Sequence, residues 1–112
     1  MNIQEIENAG RSIEEQRVKI QTLGEQRGNV FFMLKENEIV LEELKTMDDT
    51  DVVMKLVGST LIKNDLVEAK NTVKQRIEGF NNSLKQLEKG LEEAQQELVK
   101  REETLRKLTQ QR

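Results

Sequence analysis

The chain has no cysteine, no histidine and no proline among its 112 residues, and three phenylalanines are its whole aromatic content. Each absence excludes something. Without cysteine there are no disulfides and no thiolate nucleophile, which fits a reducing compartment. Without histidine the commonest general base is gone, and with cysteine also missing so are the usual zinc sites. Without proline nothing forces a helix to break. Apolar residues make up 35% and aromatics 3% of the chain. That is too little bulk for an ordinary globular core, but it suits long helices whose core is a seam.

Long apolar runs are also missing. The longest, Val30-Phe31-Phe32-Met33-Leu34, is far short of the roughly 20 residues needed to span a bilayer. The first ten residues, MNIQEIENAG, lack the apolar core of a signal peptide. Eighteen basic and 21 acidic residues leave a net charge of −3, so attraction to nucleic acid or to an anionic membrane is not expected. A soluble intracellular protein of one domain follows as the expectation.

Chemistry-bearing motifs are absent as well. No glycine-rich loop precedes a Lys-Ser/Thr pair, so no Walker-type nucleotide site is expected. Carboxylate pairs such as Glu14/Glu15, Glu42/Glu43, Glu92/Glu93 and Glu102/Glu103 read as solvated helix faces. Asp48-Asp49-x-Asp51 lacks the glycine and distal glutamate of an EF-hand loop and reads as a turn. The basic residues Lys100, Arg101, Arg106, Lys107 and Arg112 alternate with Glu97, Glu102 and Glu103, the pattern of a salt-bridged helix surface and not of a DNA-binding arm. The expectation is a protein that is not an enzyme and needs no cofactor or metal.

What is present is a seven-residue repeat on both sides of a short break. In residues 2–46 one seam position takes Ile6, Ile13, Ile20, Arg27, Leu34 and Leu41, and the next takes Ala9, Gln16, Leu23, Val30, Asn37 and Leu44. After Leu66 the two positions take Ile77, Leu84, Leu91, Leu98 and Leu105, and Leu66, Val73, Phe80, Leu87, Ala94, Arg101 and Leu108. Spacings of three and four put each set on one helix face, and the period of seven favours supercoiling. Gln16, Arg27, Asn37 and Arg101 interrupt the seam. Polar seam residues either set register or are tolerated, and the pattern alone leaves both open. Gly24 and Gly28 mark a bend, a close backbone approach or local softness, at about 1 kcal/mol each against alanine.

Between the repeats, MDDTDVVMKLVGSTLIKND (residues 47–65) has no helical period. Two β-branched runs flank Gly58-Ser59, which predicts a β-hairpin. Asp65, with Glu68 three residues on, predicts the N-cap of the second helix. The layout is therefore a single domain, 1–112, with helix 1 in 1–46, turn and hairpin in 47–65 and helix 2 in 66–112. The fold class is mainly α: an antiparallel two-helix coiled coil with a short central β-hairpin. Facing residues should have numbers summing to about 112, which places Phe31, Phe32 and Phe80 at one level. The chain ends, Met1 and Arg112, should meet at the far tip. A lone hairpin makes no stable sheet, and exposed strand edges invite other strands. Val53, Leu56, Val57, Gly58, Leu61 and Ile62 are thus candidate assembly residues.

Three stretches carry a family resemblance. Residues 34–40, LKENEIV, followed by Glu42-Glu43-Leu44, resemble the end of the first helix in β-class prefoldin subunits. Residues 52–63, VVMKLVGSTLIK, resemble their strand-turn-strand. Leu66-x-Glu68-Ala69-x-x-x-Val73-x-x-Arg76-Ile77 resembles the start of their second helix. The likeness covers about residues 30–80 in motif and the whole chain in layout. Ser59 departs from it, since many members carry proline there; serine still allows the turn, with Gly58 supplying the unusual backbone angle.

The resemblance implies a heterohexamer of two α-class and four β-class subunits, joined by hairpins into a double β-barrel. Its coiled-coil tips hold unfolded chains, notably actin and tubulin, and deliver them without ATP to the cytosolic group II chaperonin. The implied compartment is the cytoplasm. At the tips the candidate client-binding residues are Ile3, Ile6, Ile13, Leu98, Val99, Leu105 and Leu108. Ile6, Ile13, Leu98 and Leu105 also fit the seam, whereas Ile3, Val99 and Leu108 are better placed for exposure. Phe31 and Phe32 are expected to pack on the flank over Phe80; facing a central cavity is the alternative. The competing function is a non-chaperone coiled-coil scaffold or tether, which would not need a sheet-forming hairpin.

Overall fold

A computed structural model describes residues 2–48, 53–57 and 59–110, and of the strand side chains only those of Met54 and Thr60. The residues of the acidic turn from Asp49 to Val52, together with Gly58, Met1 and Arg112, lie outside the described residues. So do the side chains of Val53, Leu56, Val57, Leu61 and Ile62. Helix α1 spans Ile3–Lys45, strand β1 Val53–Val57, strand β2 Thr60–Asn64 and helix α2 Leu66–Gln110.

Side chains and tight turns cap the helices. Asn2 opens α1: its Oδ1 accepts a hydrogen bond from the Glu5 amide at 3.1 Å, satisfying one of the donors a helix start leaves without a partner. At the other end the amides of Thr46 and Met47 donate to the carbonyls of Glu43 and Leu44 at 3.1 and 3.2 Å, a 3₁₀-type tightening of the last turn. Asp65 caps α2 as its sequence position predicts. Its Oδ1 accepts from the Val67 amide at 2.7 Å and the Glu68 amide at 3.2 Å.

β1 pairs antiparallel with β2, from Val53 opposite Asn64 to Val57 opposite Thr60. That register, ending with Val57 opposite Thr60, leaves two positions between the strands, the loop length that matches strand twist. Among the described residues this is a sheet of two strands.

The fold divides into two compact units, Met1–Gly28 with Lys85–Arg112 (the terminal unit) and Asn29–Leu84 (the hairpin unit). In the hairpin unit Leu44, Ala69 and Val73 form a buried cluster, with Leu41, Met47, Leu66 and Ile77 packed against it. In the terminal unit Ile13, Gln16 and Ala94 are buried. There α1 and α2 run antiparallel, shown by Ser12 with Arg101, Gln16 with Ala94 and Arg27 with Glu88. These pairs match the register expected from symmetry about the turn to within about three residues.

The polar seam residues divide into two kinds. Gln16 is 4% exposed, and its Nε2 donates to the Ala94 carbonyl at 2.8 Å. Arg101 donates from Nη1 to the Ser12 carbonyl at 2.7 Å and from Nε to Glu97 at 3.2 Å. Arg27 reaches Glu88 at 3.0 Å. Asn37 instead donates to the Met33 carbonyl of its own helix at 2.8 Å. Gln16, Arg27 and Arg101 therefore tie the helices together at defined levels, whereas Asn37 is tolerated. The close-approach reading of the glycines fails: a Cβ added at Gly24 or Gly28 meets nothing within 4 Å.

Candidate functional site

The terminal unit holds all seven candidate client-binding residues. Ile3 and Val99 are 70% and 65% exposed. Ile3 belongs to the first turn of α1, and Val99 is one residue off the seam position of Leu98. Ile6, Leu98, Leu105 and Leu108 are half-buried. Ile13 is 5% exposed and belongs to the seam. Leu108, expected to be more exposed, is held back because it continues the stripe of Phe80, Leu87, Ala94 and Arg101 at seven-residue spacing.

An open depression in the same unit is lined by Gly10, Ile13, Arg17, Glu102, Leu105, Arg106 and Thr109. Arg17 and Glu102 face each other across the helices at 3.8 Å. Arg106 hydrogen-bonds Glu103 one turn away, and that bond holds the Glu103 carboxyl below its usual range and raises the Arg106 guanidinium. The arrangement offers apolar contact with charges of both signs at the rim, suited to weak contacts with many sequences. No group of three or more Asp, Glu, His or Cys placed to hold a metal occurs among the described residues. Nor, among them, is any helix long and apolar enough to cross a membrane.

In the hairpin unit the backbone of β1 and β2 brings Val53, Leu56, Val57, Leu61 and Ile62 into one two-stranded sheet. The same unit carries a feature the seam pattern hides. Phe31, Phe32, Met33, Ile39 and Val40 are all exposed, Phe32 and Ile39 at 62% each. Flank packing over Phe80 is thus overturned for Phe32. Two residues before Leu34, a helical side chain is rotated about 200° from the seam. The signal was present in the sequence as the seven-residue step from Phe32 to Ile39, a second stripe off the seam. Lys35 lies over the Phe31 ring, its Nζ 5.2 Å from the centroid.

Comparison with known proteins is consistent with this geometry. The structure superposes on the crystal structure of the prefoldin beta subunit from Thermococcus strain KS-1 with a TM-score of 0.86, over 96% of this chain and 95% of that one, at 21% identity. The fold is accordingly that of a prefoldin β-type protein: mainly α, an antiparallel two-helix coiled coil with a short central hairpin. A family model described as prefoldin subunit matches residues 10–112, and the chain belongs to the prefoldin subunit family.

Prefoldin subunit 6 of Arabidopsis thaliana is 40% identical over 77 residues, and that of Homo sapiens 39% over 77, each match covering 69% of this chain and 60% of the relative. A probable prefoldin subunit 6 of Drosophila melanogaster is 35% identical over 86 residues, 77% of this chain and 69% of the relative. The chain is thus similar to prefoldin subunit 6 of plant, mammal and insect. The match spans about three-fifths of the length of the plant and human relatives.

Proposed function

We infer that the chain is one subunit of a prefoldin heterohexamer, an ATP-independent holdase. It keeps unfolded polypeptides, actin and tubulin among them, from aggregating and hands them to the cytosolic group II chaperonin. Its partners are the other α- and β-class subunits, and its compartment is the cytoplasm.

The observation that carries this is the two-stranded sheet of β1 and β2. A sheet of two strands is marginal in water, and each strand keeps one edge open to pairing. In a chain of this family the natural complement is the hairpin of another subunit. Val53, Leu56, Val57, Gly58, Leu61 and Ile62 are then the assembly residues. Client holding falls to exposed Ile3 and Val99 with Ile6, Leu98, Leu105 and Leu108, while Ile13 supports them from the seam. Several weak tips acting on one client raise avidity without a strong site.

Light scattering of a denatured client, with the complete subunit set and no ATP, tests the reading. Aggregation should be suppressed. Replacing Val57→Glu together with Leu61→Glu should abolish hexamer formation and suppression while helicity is retained. An assembly that forms but leaves aggregation unchanged contradicts the holdase and favours a tether.

A further inference from the structure

We propose that the outer face of α1 in the hairpin unit, from Phe31 to Glu43, docks a basic amphipathic helix of a partner protein. Phe32, Glu36, Ile39 and Glu43 fall four, seven and eleven residues along one face, with Val40 beside Ile39. Phe32 and Ile39 are 62% exposed, and Phe31 and Val40 are 44% and 41% exposed. Five large apolar side chains outside the seam within ten residues are far from the scattered exposure that ordinary surfaces show.

The charges select the occupant. Lys35 is engaged with Glu38 at 3.4 Å, and Lys45 with Glu42 at 3.4 Å. Glu36 and Glu43 have no basic residue three or four positions away, and neither joins an ion pair among the described residues. The face therefore presents apolar side chains interleaved with two unneutralised carboxylates, which complements a helix carrying Lys or Arg between its apolar residues. A second copy of this chain fits poorly, because isologous pairing would gather four carboxylates in one contact. An anionic membrane is repelled by the same charges. An extended peptide finds no free backbone edge on a helix, whereas a second helix packs ridges into grooves.

The test uses the full chain and two synthetic 21-residue helical peptides, one of leucine and lysine and the other of leucine and glutamate in the same pattern, read by fluorescence anisotropy. The lysine peptide should bind and the glutamate peptide should not. Phe32→Ser with Ile39→Ser should weaken binding about tenfold or more with helicity unchanged. Glu36→Lys with Glu43→Lys should reverse the preference between the peptides. Equal binding of both peptides, or unaltered binding by either variant, overturns the proposal. Self-association of the chain that Phe32→Ser abolishes, seen by sedimentation velocity, would assign the face to a second copy and overturn it too.

Discussion

The side-chain amide of Gln16 donates a 2.8 Å hydrogen bond to the backbone carbonyl of Ala94, 78 positions away in the chain and buried between the two helices. Ala94 lies mid-helix, so its carbonyl already has a helical partner and takes this bond on its second lone pair. With Arg101 bound to Ser12, it fixes the level at which the helices of the terminal unit meet. A leucine seam alone fits equally well when slid by one heptad.

Replacing Gln16→Leu together with Arg101→Leu should therefore raise thermal stability while loosening register. Removing both polar groups leaves no buried partner unsatisfied. Spin labels at Lys19 and Lys89 should give one narrow distance distribution in the parent chain and a broader one in the double variant.

Gly24→Ala and Gly28→Ala should each stabilise the chain by about 1 kcal/mol, because alanine is the better helix former and the added methyl meets nothing. Urea unfolding followed by circular dichroism measures this. A loss of stability would mean that a neighbour occupies the space.

Leu44→Ala should destabilise the hairpin unit by about 2–4 kcal/mol, since Leu44 is 6% exposed among Ala69 and Val73 and two small neighbours collapse poorly onto a void. Asp65→Ala should cost about 1 kcal/mol by removing the acceptor for the Val67 and Glu68 amides. Asp65→Asn, which keeps a capping oxygen, should recover most of that loss in the same urea titration.

How much of this was legible beforehand differs from element to element. Asp65 was readable as a cap because capping is local: one side chain answers amides two and three residues on. The seams were readable because burial follows a period of seven. The role of Gln16 was not, since the pattern marks a polar seam residue without saying whether its partner lies in the facing helix, as for Gln16, or its own, as for Asn37. For Phe32, hydrophobicity suggests burial on the flank, whereas its rotation from Leu34 sets it on the outer face. Leu108 differs the other way: nearness to the chain end counts for less than its place in the stripe.

The bond between Arg106 and Glu103 lowers the Glu103 carboxyl. A carboxyl lowered in the folded state adds stability that is complete above the ordinary glutamate range and is lost as pH falls through the lowered folded value. Both side chains face solvent at the surface of the helix, so the effect on stability is small. Arg106→Gln should move the Glu103 titration midpoint up toward the ordinary glutamate value, as side-chain NMR would record.

On the proposed function, the hairpin of β1 and β2 completes a sheet only with other subunits. Native mass spectrometry of the chain mixed with the complete set of the other prefoldin subunits tests it most directly. A single hexameric mass that contains this chain should appear, and it should disappear with Val57→Glu and Leu61→Glu. A chain that remains at its own 13.0 kDa mass with every partner present would contradict it.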